Sequence, residues 1–240
     1  MYRSGNPTLS EKLFQQAGTT VPREGTMTVS GTVNKIGILF LLLLAGASIS
    51  WYQPSQMFLW LGALGGFVVA IITIFKKEWS PVTAPLYAAL EGLFLGAISV
   101  IYASAYGGIV FNAIILTLGI FAAMLLIYRS GLIEVTQRFR MGIVAATGGI
   151  LLVYLASIIL GFFGINLTLV TGSGTLGIVF SLVVVVVAAL NLVLDFDLIE
   201  KGAQSNAPGY FEWYTAFGLM ITLVWLYLEI LRLLAKLQRR

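Results

Sequence analysis

Three carboxylates lie within six residues at the end of one of the most apolar stretches of the chain. The segment 191–200, NLVLDFDLIE, carries Asp195, Asp197 and Glu200 directly after SLVVVVVAAL. Carboxylates bind protons and provide the hard oxygen ligands that Ca²⁺ prefers. Asp197 and Glu200 fit a hydrated flank at the membrane surface, whereas Asp195 lies deeper if the helix continues past the cluster.

Two further acids interrupt apolar runs. Glu91 lies in LEGLFLG, and Glu229 lies in LYLEILR, three residues before Arg232. A charge at the centre of a bilayer costs on the order of 3 kcal/mol or more, so such a residue faces protein or water and often marks an ion path. Glu91 has no opposite charge near it in sequence, whereas Glu229 could simply pair with Arg232 one turn later.

The residue types that are absent exclude most catalytic chemistry. The chain has no cysteine and no histidine, which excludes disulfides, thiolate metal sites, cysteine nucleophiles and a histidine base. The last apolar run contains no lysine before Lys236 that could bind retinal. We therefore expect no enzyme, and proton sensing would fall to the carboxylates.

Composition places these acids in a membrane protein. The 240 residues are 59% hydrophobic and 10% charged, whereas soluble domains average about 25% charged residues. Residues 1–34 predict a polar cytoplasmic tail, and residues 35–240 predict one all-α membrane domain. Runs long enough to span a bilayer as helices lie at about 36–52, 57–75, 83–104, 109–128, 141–163, 175–198 and 214–235.

Basic residues flank alternate loops, which sets the expected orientation. They lie in the tail and in the second and fourth loops: Arg3, Lys12, Arg23, Lys35, Lys76, Lys77, Arg129, Arg138 and Arg140. By the positive-inside rule the amino terminus is cytoplasmic, and the net charge of +4 does not indicate nucleic-acid binding. Seven spans then put the basic carboxyl terminus outside, against the same rule, so a last segment that crosses incompletely remains open.

The start of the seventh helix decides whether the acids can meet. If this helix begins near Tyr210, Glu229 lies nearly 30 Å from the cytoplasmic side, too far to reach Asp195. If the aromatic segment 209–214 lies flat at the interface, the helix begins near Phe217. Glu229 then lies about 18 Å deep, and Asp195, Glu229 and Glu91 could cluster.

Three segments resemble motifs of the Bax inhibitor-1 superfamily. LDFDLI (194–199) is similar to its sixth-helix YDxxxI signature, LYLEILRLL (226–234) to its seventh-helix LYLDxxNLF segment, and AALEGLFLGA (88–97) to its third-helix EGLxLG pattern. Their order and placement over residues 36–235 match best the bacterial Bax-inhibitor-like branch.

The resemblance implies a seven-helix bundle with a central last helix and a pH-sensitive Ca²⁺ leak gated by two acids that share a proton. By motif those acids are Asp195 and Glu229, which would also bind Ca²⁺ weakly and transiently. Glu91 and Asp197 are auxiliary acids, and Arg232 is a candidate ion-pair partner. The chain departs from the family pattern in two places. The second acid is a glutamate, and 34 residues separate the two acids, an extra length that an interfacial segment in 202–214 would absorb.

These observations leave two functions open. The first is a Ca²⁺ leak channel or exchanger in the bacterial inner membrane, with the lipid bilayer, Ca²⁺ and protons as its partners and no resident cofactor. The second is a regulatory membrane protein that binds a membrane protease or a stress-response partner through the polar tail.

Overall fold

Between residues 25 and 239 the chain forms a bundle of seven long helices, which confirms the expected all-α transmembrane fold. The computed structural model describes residues 25–239; most of the predicted tail lies outside this range. A helical turn at Thr168–Thr171 precedes the sixth long helix. The long helices are α1 (Val29–Tyr52), α2 (Gln56–Phe75), α3 (Ser80–Ala105), α4 (Ile109–Arg129), α5 (Gln137–Phe162), α6 (Thr175–Gln204) and α7 (Phe211–Gln238).

Side-chain caps set where several helices begin. The Thr28 hydroxyl accepts a hydrogen bond from the Gly31 amide at 2.9 Å, so α1 begins at Val29, ahead of its apolar run at 36. Thr136 accepts in the same way from the Phe139 amide at the start of α5. Because these caps satisfy amides that have no partner within the helix, the helices extend past the apolar segments that hydropathy identifies.

The helices alternate in direction, so the bundle has two ends. We call the end where α1 begins the amino-terminal end and the end where α7 finishes the carboxyl-terminal end. The basic residues at the latter fold back onto the protein: Lys236 Nζ donates to the Gly177 carbonyl at 3.0 Å and to Ser181 Oγ at 2.9 Å. Arg239 Nε donates to the Tyr106 hydroxyl at 2.5 Å. These contacts hold the basic end of a helix that is long enough to cross the membrane fully.

Of the two alternatives for segment 209–214, the structure shows the helical one and not a segment flat at the interface. The α7 helix begins at Phe211 and continues without interruption to Gln238. Phe211 and Tyr214 are 1% and 0% exposed and pack into a cluster with Met27 and Leu198. The aromatic side chains are therefore used for packing inside the bundle, and Glu229 lies about 27 Å along α7 from Phe211.

The last helix is central, as the resemblance implies. It contacts α1, α3, α4 and α6, and 61% of its most apolar window is buried, against 11% for α5. Backbones approach most closely between α1 and α3, where a Cβ on Gly92 would overlap the Leu43 carbonyl oxygen and one on Gly46 would overlap that of Ala89. Small residues at such crossings allow the close packing that joins helices in lipid.

Replacing Gly92 with alanine should destabilise the bundle, because the new methyl group meets main-chain atoms that cannot move aside. We expect a loss of about 1–3 kcal/mol, the usual cost of overpacking, measured as a lower midpoint of thermal unfolding in detergent. The matched control is Gly119→Ala on α4, where nothing lies within 4 Å of the added methyl and alanine favours the helix by up to about 1 kcal/mol. Equal midpoints for the two variants would contradict the close α1–α3 crossing.

Candidate functional site

Asp195 is fully buried between α6 and α7. Its side chain is 0% exposed, and its Oδ2 accepts a hydrogen bond from the Thr222 hydroxyl of α7 at 2.6 Å. Since α6 continues to Gln204, Asp195 lies about 13 Å inside the end of its helix. The sequence placed this residue at interior depth, and the structure agrees.

Glu229 is buried where α7 faces α5. The residue is 2% exposed, and its Oε1 accepts from the Tyr154 hydroxyl at 2.8 Å and from Arg232 Nη1 at 3.0 Å. The guanidinium of Arg232 also lies over the Tyr154 ring at 4.9 Å. The other carboxylate oxygen, Oε2, is buried and has no hydrogen-bond partner among residues 25–239. Glu229 therefore forms the ion pair that the sequence suggested, and it does so inside the bundle.

One antiparallel register relates Asp195 and Glu229. Two contacts define it: Asp195 with Thr222, and Ser181 with Lys236. Both helices advance by fourteen residues between these contacts. Glu229 lies midway, seven residues from Thr222, so it occupies the same face of α7 about 10 Å further along. The structure thus places the two acids along the same side of α7 but two helical turns apart.

Glu91 lies in a different interface. It is 9% exposed, and its Oε2 lies against Gly66 of α2, where any side chain would displace it. Within residues 25–239 its carboxylate has no hydrogen bond or ion pair. The structure therefore does not gather the three acids into one cluster: Asp195 faces α7, Glu229 faces α5, and Glu91 faces α2.

The expectation that Asp197 is a hydrated flank is wrong. Asp197 is 7% exposed and forms ion pairs with Arg140 of α5 and with Lys201 at 2.9 Å. Arg140, which the sequence placed among the loop charges, is itself 2% exposed and belongs to α5. Glu200 is exposed, as expected, and accepts from the Tyr128 hydroxyl of α4 at 2.5 Å.

Sequence reasoning missed the residues of α5 that contact these acids. Arg140 and Tyr154 have one weak signal in common: they are fourteen residues apart, with the polar Thr147 midway, and apart from Ser157 the other residues of 141–162 are apolar. Thr147 Oγ1 accepts from Asn191 Nδ2 of α6 at 2.9 Å. A seven-residue spacing predicts one shared helix face, but it does not show which neighbour that face contacts.

The acids do not line the large cavity of the bundle. A cavity of about 630 Å³ lies among α1, α3, α4 and α7, and Met220, Val224 and Tyr227 border it from α7. In the part of the chain from 25 to 239, no group of three or more acids could hold a metal ion. The described residues therefore do not bring three acidic ligands together at Asp195 or at Glu229.

Replacing Asp197 with asparagine should destabilise the protein by about 3 kcal/mol, because it removes one partner of a buried ion pair and leaves the Arg140 charge without it. The measurement is the thermal unfolding midpoint in detergent, compared with Glu200→Gln three residues later. The Glu200 variant changes an exposed carboxylate, so its midpoint should stay near that of the unmodified protein. A small loss for both variants would instead support a hydrated position for Asp197.

Comparison with known proteins shows the family of the chain. No curated protein matches the chain. The family model described as Bax inhibitor 1 like matches residues 6–239, which include all seven helices and the acids of α3, α6 and α7. The chain therefore belongs to the Bax inhibitor 1-like family of membrane proteins.

Proposed function

We propose that the protein is a pH-sensitive pathway for cations, with Ca²⁺ as its substrate and Asp195 and Glu229 as its proton-binding acids. The observation that carries this proposal is the burial of both carboxylates, at 0% and 2% exposure, in the seam between the two most buried helices. A bundle gains no stability from such residues that apolar side chains could not provide, so their presence favours a role in ion movement.

The contacts of the two acids support a closed state. Asp195 is held by Thr222, and one oxygen of Glu229 is held by Tyr154 and Arg232. Glu229 Oε2 is buried and has no hydrogen-bond partner in the part of the chain that the structure describes. Opening then requires water to reach these groups. Once deprotonated, the carboxylates attract Ca²⁺, whose preferred ligands are oxygens.

Proton loss should promote flux. Each carboxylate carries its negative charge only when it is deprotonated. Acidification adds protons and removes the charge that attracts the cation. Flux should therefore fall as pH falls and rise as pH rises.

Purified protein in Ca²⁺-loaded liposomes tests this proposal. Asp195→Asn and Glu229→Gln should each change the flux and flatten its dependence on pH, because each removes one titrating carboxylate while it keeps the side-chain size. Glu134→Gln is the matched control, since Glu134 lies exposed in the α4–α5 connection. Its curve should follow that of the unmodified protein. Unchanged curves for both buried variants would rule out the two acids as the proton-binding groups.

A second function is favoured by the way the chain enters α1. Residues 25–28 lie across the α6–α7 connection: Met27 is 2% exposed and its amide donates to the Ala207 carbonyl at 2.7 Å. Thr28 donates from its amide and its hydroxyl to Glu212 Oε1, both at 2.9 Å. We call residues 25–28 the strap. A partner that binds the tail could act through the strap on α6 and α7. The alternative is therefore a regulatory protein that modulates a membrane protease or a stress-response partner.

Deletion of residues 1–24 separates the two functions. The deletion keeps residues 25–28 and the buried acids Glu91, Asp195, Asp197 and Glu229, so a self-contained leak should retain its flux and its pH dependence in liposomes. A regulator should lose its effect on its partner in cells although the truncated protein still folds. Loss of liposome flux on deletion would instead place part of the pathway in the tail.

A further inference from the structure

The α5 helix is the least buried of the seven long helices, with 11% of its most apolar window buried against 17% to 61% for the others. Only three of its residues are buried, Arg140, Ile143 and Ile150, and its other large side chains mostly face outward. Apolar contact gives a helix little preference for protein over lipid, because lipid tails are equally apolar. The apolar contacts of α5 therefore contribute little to its position.

Three polar contacts hold α5 instead, and we call them the polar seam. Arg140 pairs with Asp197, Thr147 accepts from Asn191 at 2.9 Å, and the Tyr154 hydroxyl donates to Glu229 at 2.8 Å. The three seam residues of α5 recur every seven positions, so they form one straight stripe along the helix. An isolated polar contact could be accidental, whereas this spacing joins α5 to the bundle at three levels.

The polar seam lies over part of the α6–α7 interface. Beneath α5, Ile150 packs with Val184 and Val187 of α6, and Tyr154 and Trp225 border the same cluster. Val184 is 0% exposed. One turn beyond Trp225, Glu229 lies under the Tyr154 hydroxyl. Movement of α5 away from α6 would therefore uncover Glu229 without disturbing the glycine-lined crossing of α1 and α3.

We propose that α5 is a lid over Glu229, held closed by the polar seam of Arg140, Thr147 and Tyr154. Tyr154 is the positioning residue of the lid, because its hydroxyl contacts the carboxylate that the lid covers. The role in ion flux rests on the function proposed above. The lid itself does not, since the contacts of α5 alone support it.

Spin-label distances in lipid nanodiscs test the lid. The chain has no native cysteine, so labels can be attached at Leu152→Cys on α5 and Val68→Cys on α2, both exposed positions. Tyr154→Phe, alone and with Thr147→Val, should broaden this distance distribution and add a population shifted by several ångströms. A reference pair at Leu116→Cys on α4 and Val68→Cys should not change, because the seam does not include these helices.

The matched control for the tyrosine is Tyr128→Phe. It also removes a hydroxyl that donates to a carboxylate, here Glu200, but it lies on α4 and outside the seam. It should leave both distance distributions unchanged. Unchanged α5 distances in the two seam variants would overturn the lid. Equal broadening of the reference pair would overturn it as well, because the whole bundle would then have loosened.

Ca²⁺ flux through liposomes separates the lid from the proposed function. An open lid admits water to Glu229, so Tyr154→Phe should raise the flux at a fixed pH above that of Tyr128→Phe. If α5 moves in the distance measurement and the flux stays the same, the lid stands and the cation pathway fails. If the flux rises while α5 stays in place, the lid fails.

Discussion

The antiparallel register of α6 and α7 determines where Asp195 and Glu229 lie along these two helices. Asp195 meets Thr222, and Ser181 meets Lys236, fourteen residues further along both helices. Because both contacts obey one register, neither helix can slide without breaking them together. Glu229 is therefore fixed on the same face of α7 and reaches outward to Tyr154 of α5. The other helices are arranged around the α6–α7 pair.

Two kinds of contact join the surrounding helices to the bundle, and they differ in how much movement they permit. The α1–α3 crossing uses glycines such as Gly92, whose missing side chain lets the main chains touch. Such a crossing is close-packed, and close-packed interfaces resist gradual displacement. The α5 helix is held by the Arg140–Asp197 ion pair and by two hydrogen bonds, and interhelical hydrogen bonds in membranes average only about 0.6 kcal/mol. The bundle thus combines a rigid part with one helix that a few contacts control.

Hydropathy predicted the seven helices because each apolar run must satisfy its backbone internally in lipid. It could not predict side-chain direction. The aromatic residues at 210–214 fitted an interfacial position, but Phe211 and Tyr214 pack against Met27, a contact that depends on a segment nearly two hundred residues earlier. Arg140 resembled a loop charge because the sequence does not show how α5 is rotated toward Asp197. Contacts between distant helices depend on rotation and register, which composition and local spacing leave undefined.

The register also limits how Asp195 and Glu229 could share a proton. Their levels along the α6–α7 pair differ by two turns, about 10 Å along α7. The extra methylene of a glutamate covers only a small part of that distance. Sliding α7 would close the gap but would break its contacts with α1, α3, α4 and α6 together. Water that enters beneath α5 could instead join the two carboxylates through hydrogen bonds while α7 stays in place. The second route disturbs fewer contacts, so coupling between the acids should depend on α5 more than on any movement of α7.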